Sequence, residues 1–450
     1  MVTAVAPGSP PLKPLAKFFE TLGSARGDRL IMAWTLALAG IMPIVLVFMH
    51  RGVAPLGLAL GAAVALRASV WRAGAPRFLI RPDLRDPLTR AALFFLGFCL
   101  WIAASAFWSP SPGAWKLVLN VGAPALAAGA VVFELSRRDP GELKWLAAVA
   151  EASLYAAAAL LLFEALTGGV LRELIPPPDH SENRAKDMIA LGRGVTALAT
   201  IFFGGFALMQ ARGRKRTAMA VLFLATYVAA SRLQIFANEI ALTAAAIAFF
   251  VTWRAPRAAV LAVVFASLLA LALAPLAAAL PVDPIFAAAP DGAPISWLQR
   301  LVIWRTAAAE ALGCLPFGCG AEYARDFGAR TGEAAVPGAG VPLPILPIHP
   351  HNVFLEIWLE LGVPGVFFFG AALVAGAEAL LAARLSRWGV AAAVATAVVT
   401  LATAAVETSL WQVWRHGAIV VAVLYIALSE RLGAGPPQSL TARPSAQAGS

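Results

Sequence analysis

Apolar residues run in stretches of about 20 along most of this chain, separated by short polar connections. A stretch of that length crosses the hydrocarbon core of a bilayer as an α-helix. Lipid offers no water to an open backbone, and these runs lack the alternation of a barrel strand, so the spans must be helical. The pattern predicts about twelve of them. They fall at 30–49, 53–70, 91–108, 117–134, 145–166, 188–209, 217–231, 235–253, 258–280, 353–383, 389–408 and 416–430. The stretch 217–253 also fits a short hairpin, and 353–383 is long enough to begin along the interface. The expected fold is an all-α, polytopic integral membrane protein. No half-chain or inverted repeat of the transporter kind is visible.

The pattern breaks over residues 281–352, which are rich in proline and glycine. Within them Trp297, Leu301, Trp304 and Ala308 recur at helical spacing, which predicts an amphipathic helix between Ser296 and Leu312. A long loop with a helix of its own is usually functional. The expected organisation is therefore an N-terminal segment 1–29, nine spans over 30–280, the large loop 281–352, three spans over 353–430 and a disordered tail 431–450.

Composition agrees with this layout. Of 450 residues 60% are hydrophobic and 13% charged, and the mean hydropathy is +0.77, whereas soluble domains carry about 25% charged residues. The net charge of +10 does not signal nucleic acid, because the basic residues fall in short clusters between spans. Arg67 to Arg90, Arg137 to Lys144, Arg212 to Arg216, Arg254 with Arg257, and Arg384 with Arg387 all lie on one side. Lys13, Lys17, Arg26 and Arg29 agree. By the positive-inside rule that side is the cytoplasm, with both termini in it and the 281–352 loop outside. The N-terminus does not read as a cleavable signal peptide. Cys99 sits in a span as packing. Cys314 and Cys319 lie in the outer loop, where a disulfide is allowed; the Leu-Pro-Phe-Gly between them need not bring the sulfurs together, so they are read as unpaired thiols.

The candidate chemistry gathers at the outer rim. His351 stands where the loop meets a span, beside Asn352, with Glu356 and Glu360 one turn apart on the same helix. Read alone, this histidine caps the helix. It is also accessible enough to act as a general base, its pKa lowered slightly by the helix dipole. Glu356 and Glu360 can orient it or pair with an outer arginine. The run His349-Pro350-His351 suggests no metal site, since no third and fourth ligand appears at a recognisable spacing. Pro350 is expected to send the two rings in different directions. Several arginines break the positive-inside bias: Arg172, Arg184, Arg193, Arg232, Arg300, Arg305 and Arg415. Arg172 and Arg184 read as snorkelling side chains. Arg300 and Arg305 lie about 140° apart around their helix and cannot easily serve one phosphate together. Arg300 can stack on Trp304, four residues on. Gly362 and Gly365 let the chain bend or pack closely.

Together these residues resemble the O-antigen ligase family of membrane glycosyltransferases. The resemblance rests on the H-N-x9-G-x-x-G spacing from His351 to Gly365, on Arg300 before Trp304, on Pro316-Phe317-Gly318-Cys319-Gly320 and on Ser231-Arg232 at the outer end of a span. It is most specific over residues 217–370. It implies a GT-C-like fold in a bacterial inner membrane, with the active site facing the periplasm. It implies transfer of a glycan from an undecaprenyl diphosphate carrier to an acceptor sugar hydroxyl, on lipid A-core in ligases, with inversion and with no metal or other cofactor. His351 then matches the catalytic histidine, and Arg232 and Arg300 match arginines that hold the diphosphate. Arg305, Asn352, Glu356, Glu360, Trp304 and Arg193 are expected to support them.

Two rival readings remain at this point. One is a polymerase, the same chemistry with a growing lipid-linked glycan as acceptor. The other is a transporter or flippase, which would place polar residues near mid-span. Here they collect at one rim and in one loop, which favours an enzyme.

Overall fold

The computed structural model describes residues 25–65, 83–178 and 180–433. Lys13, Lys17, the arginines from Arg67 to Arg81 and the tail 434–450 lie outside them. The expected all-α architecture is found. The helices are α1 (Ala25–Phe48), α2 (Val53–Ala65), α3 (Pro87–Ser105), α4 (Lys116–Leu135), α5 (Pro140–Thr167), α6 (Val170–Leu174), α7 (Arg184–Ala211), α8 (Arg216–Arg232), α9 (Phe236–Arg254), α10 (Pro256–Leu273), α11 (Val282–Ala287), α12 (Ile295–Gly313), α13 (Tyr323–Arg330), α14 (Val353–Ala382), α15 (Arg387–Val406) and α16 (Val413–Leu432). A two-residue hairpin, β1 (Glu333–Ala334) with β2 (Leu343–Pro344), closes the loop.

Among the described residues, 10 helices are long and apolar enough to cross a membrane. The expected second and seventh spans are not among them. α2 has 13 residues within the described part, and α8 stops after 17, at Arg232. The stretch 217–253 is two helices joined by a short turn, α8 and α9, as the hairpin alternative expects, and of the two only α9 is long and apolar enough to cross a membrane.

α7 is the axis of the bundle, with 83% of its apolar window buried. It packs against α1, α5, α8, α15 and α16. A helix apolar all round belongs in a core. Small residues allow the approach: a Cβ on Gly194 would lie 2.1 Å from the Leu46 carbonyl oxygen, and one on Gly204 2.7 Å from that of Ala422. A second core joins α3, α4 and α14. A third fixes the large loop onto α14, through Ile303, Ala307, Ala308 and Ala311 of α12 against Leu355 and Leu359. The buried stripe of α12 thus runs through Leu298, Val302 and Ile303. Trp297, expected in that stripe, is exposed instead.

The two faces of the bundle differ in charge. Away from the loop, Arg138 pairs with Asp28, Glu134 and Glu142, and Arg212 and Arg214 both grip Glu151. This is the expected gathering of basic clusters on one side. On the loop face, Arg172 departs from its expected snorkelling role. It is fully buried. Its Nη2 and Nε meet Asp187 at 2.8 and 3.0 Å, and its Nη1 donates to the Val47 carbonyl at 2.7 Å. Arg172→Ala leaves Asp187 buried without its main partner. The expected result is a loss of about 3–5 kcal/mol of stability, read as a lower melting temperature in detergent. A melting temperature equal to wild type contradicts it.

Candidate functional site

The site is built on the N-terminus of α14. Asn352 is its N-cap, with Oδ1 accepting the Leu355 N–H at 3.1 Å. The capping reading of His351 is therefore corrected, because the neighbouring residue satisfies the helix end. His351 holds a left-handed backbone, φ 55°, a conformation that costs a non-glycine residue of order 1–3 kcal/mol and clusters at functional sites. Its Nδ1 lies 2.9 Å from the Glu407 carbonyl oxygen. A carbonyl only accepts, so Nδ1 carries the hydrogen and Nε2 keeps a free lone pair.

His349 is a neighbour, contrary to expectation. Its ring centroid is 4.2 Å from that of His351. Pro350 does not separate the two because the left-handed turn at His351 folds the chain back. The His349 Nδ1 accepts the His351 backbone N–H at 3.2 Å, and the Gln412 amide lies 3.3 Å from its Nε2. Burial, followed by the adjacent His351, pushes the His349 pKa down to about 2. Burial also lowers His351. The Glu407 carbonyl opposes this, while Arg300 and Arg193 add to it. The lowering expected from the helix dipole thus comes chiefly from desolvation.

The arginines sort into two groups. Arg193 acts electrostatically on both histidines, Arg300 on His351, and Arg415 and Arg325 on His349. Arg193 Nη1 is also 3.4 Å from the His50 Nε2. Arg300 donates from Nη1 to the Ser296 carbonyl at 2.9 Å, and its Nε is buried without a partner. Burial lowers its pKa. The expected stacking on Trp304 is absent among the described residues. The Trp304 indole instead donates to the Pro350 carbonyl at 3.1 Å and so steadies the histidine segment. Arg305 points away, 3.7 Å from Asp283, as the helical geometry requires. Arg232 is exposed at the C-terminal end of α8, with no ion-pair partner among the described residues.

Glu356 and Glu360 do not touch His351 or an arginine, which corrects both expectations for them. Each is 1% exposed. Glu356 accepts from Ser409 Oγ at 2.7 Å and from the Leu410 N–H at 2.6 Å. Glu360 accepts from the Glu322 and Ala324 N–H groups and from the Trp411 indole. They tie α14 to the turn between α15 and α16 and to the loop before α13. Gly362 explains the motif's glycine. Its φ of 60° and ψ of −157° break α14, and a Cβ there would lie 2.3 Å from the Pro316 carbonyl oxygen. The break frees the carbonyls of Leu359, Glu360 and Leu361, which accept from Cys319 N–H, Gly320 N–H and the Trp101 indole.

Those contacts seat a disulfide loop. Cys314 and Cys319 are bonded, with Cα atoms 5.2 Å apart, so the reading as unpaired thiols is overturned. The intervening residues form a turn closed by the Gly318 N–H on the Cys314 carbonyl, at 2.9 Å. Glu310 lies near both sulfurs, but sulfurs bonded to each other are not metal ligands. Glu407, Gln412 and Arg415, at the turn between α15 and α16, are site residues that sequence reasoning did not assign. The signals were the Trp411-Gln412-Val413-Trp414 run and an arginine opening an apolar helix.

A groove of about 620 Å³ is walled by Tyr227 of α8, Phe236, Ile240 and Ile247 of α9, and Pro294 and Trp297 at the start of α12. Glu239 and Thr243 also line it. Arg232 lies five residues after Tyr227 on α8, and Arg300 three residues after Trp297 on α12; neither arginine lines the groove.

Fold and site define a multi-pass, all-α membrane protein whose polar chemistry gathers under one loop. Residues 217–370, about a third of the chain, match the family model described as O-antigen ligase, so this part of the chain is similar to that family. The match supports a membrane glycosyltransferase of the O-antigen ligase or polymerase kind, for which lipid-linked glycans are the expected substrate class. No curated protein matches the chain.

Proposed function

We propose that the protein transfers a glycan from an undecaprenyl diphosphate carrier to an acceptor sugar hydroxyl on the periplasmic face of the inner membrane, with lipid A-core as acceptor. The observation that carries this reading is His351, whose lowered pKa favours the neutral form with a free Nε2, within electrostatic reach of half-buried Arg300, whose Nε is buried without a partner. Nε2 takes the proton of the acceptor hydroxyl as its oxygen attacks the anomeric carbon. The bond from that carbon to the diphosphate breaks, and its electron pair leaves with the carrier. Fixed positive charge stabilises the leaving group, and arginine keeps its proton while forming two-pronged hydrogen bonds to phosphate. Arg300 supplies this near the histidine. Arg232 meets the carrier at the C-terminal end of α8. The groove's apolar wall suits the carrier's lipid tail. The disulfide fits an oxidising compartment, in agreement with the one-sided basic clusters.

The test uses purified protein in proteoliposomes with lipid-linked glycan and an acceptor, chelator present. The expected result is a new glycosidic bond to the acceptor. Translocation of the intact lipid-linked glycan without bond formation would establish the transporter reading instead.

A further inference from the structure

His351 owes its useful tautomer to one carbonyl, that of Glu407, which sits in an irregular turn between α15 and α16. Within it the Gln412 N–H reaches the Ser409 carbonyl at 3.3 Å, and the polar groups left over hold their shape only if side chains satisfy them. Here two do so from opposite sides. Arg415 reaches three points: Thr403 Oγ1 at 2.8 Å in the last turn of α15, Glu407 Oε2 at 3.3 Å at the head of the turn, and Gln412 Oε1 at 3.3 Å at its end. Its guanidinium also lies 4.8 Å from the centre of the Trp414 ring. From α14, Glu356 takes the Ser409 hydroxyl and the Leu410 N–H. The Ser409 oxygen in turn accepts the Trp411 N–H at 3.1 Å. Because Glu356 and His351 belong to the same end of α14, this grip fixes the carbonyl relative to the imidazole.

We propose that Arg415 and Glu356 are positioning residues that clamp the 407–412 turn so that the Glu407 carbonyl locks His351 in the Nδ1–H form, leaving Nε2 as the base. The proposal rests on reading His351 as the general base. Neither residue touches substrate. An ion pair kept merely for stability would need only Arg415 with Glu407. The reach to Thr403 and Gln412 and the separate grip of Glu356 go beyond that.

The test reads the tautomer directly. Full-length protein carrying ¹⁵N-histidine is placed in lipid nanodiscs, and the His351 nitrogens are identified by their loss in His351→Ala. Wild type is expected to show a protonated Nδ1 and a bare Nε2. Arg415→Met and the isosteric Glu356→Gln are each expected to shift His351 toward the Nε2–H form. Arg415→Lys, which keeps the charge but not the three contacts, should fall between. The same variants should lose about tenfold or more in kcat with KM for the lipid-linked donor nearly unchanged, since a base in the wrong tautomer costs up to about 10⁴ in rate. A wild-type tautomer in both Arg415→Met and Glu356→Gln overturns the proposal, as does a wild-type protein in the Nε2–H form. A clamp-dependent tautomer in a protein that forms no glycosidic bond would uphold the positioning and reject the base role.

Discussion

His351→Ala is expected to insert and fold normally and to lose about 10²–10⁴ in turnover, the usual contribution of general-base catalysis. This corresponds to roughly 3–5 kcal/mol of barrier. The backbone of His351 is left-handed, so a second variant separates conformation from chemistry. Asparagine tolerates that conformation well but cannot accept a proton at neutral pH. His351→Asn should therefore match the alanine variant in activity. His351→Ser should not rescue either, because Asn352 already caps α14. The pH profile follows from the lowered pKa. The neutral imidazole is the working form, so the rate should hold on acidification past the ordinary histidine value of 6.5 and fall only at the lower, folded-state pKa. Near wild-type rates in His351→Asn would sink the base assignment.

Arg300→Lys should lose about 2–5 kcal/mol in kcat/KM, the range for removing one partner of a desolvated charge pair. That is about 30- to 5,000-fold. Lysine keeps a charge but not the planar fork, and the orphan buried Nε of Arg300 is the atom a phosphate oxygen would satisfy. Arg232→Lys is expected to lose less, because Arg232 is exposed and carries no contact to the histidines among the described residues. Its loss should appear mainly in KM for the carrier. Steady-state kinetics with the lipid-linked donor checks both. Full activity in both lysine variants would remove the arginines from the diphosphate.

Much of this site was legible because its physics is local. Apolar run length shows the spans, and helical spacing shows α12. The histidine at the loop–span junction and the glycine after it needed no partner to be noticed. What was hidden depends on contacts distant in sequence. Arg172 looked like a snorkelling cation until Asp187 and the Val47 carbonyl closed around it. Glu356 and Glu360 looked available to His351, but their carboxylates face a turn more than fifty residues on and, for Glu360, also the loop before α13. The Cys314–Cys319 pairing depended on a turn that spacing alone does not specify. The nearness of His349 to His351 came from a positive φ that a Pro–His pair does not announce.

The most direct test of the account is the anomeric configuration of the linkage made by the purified protein with chelator present, read by NMR against the known configuration of the donor. A single displacement by a hydroxyl deprotonated at His351 inverts the anomeric carbon. Retention needs a second nucleophile to form a covalent intermediate. The nearby carboxylates are committed elsewhere: Glu356 and Glu360 to buried hydrogen bonds, Glu407 to Arg415. Inversion is expected in wild type; a retained configuration would rule out the single displacement.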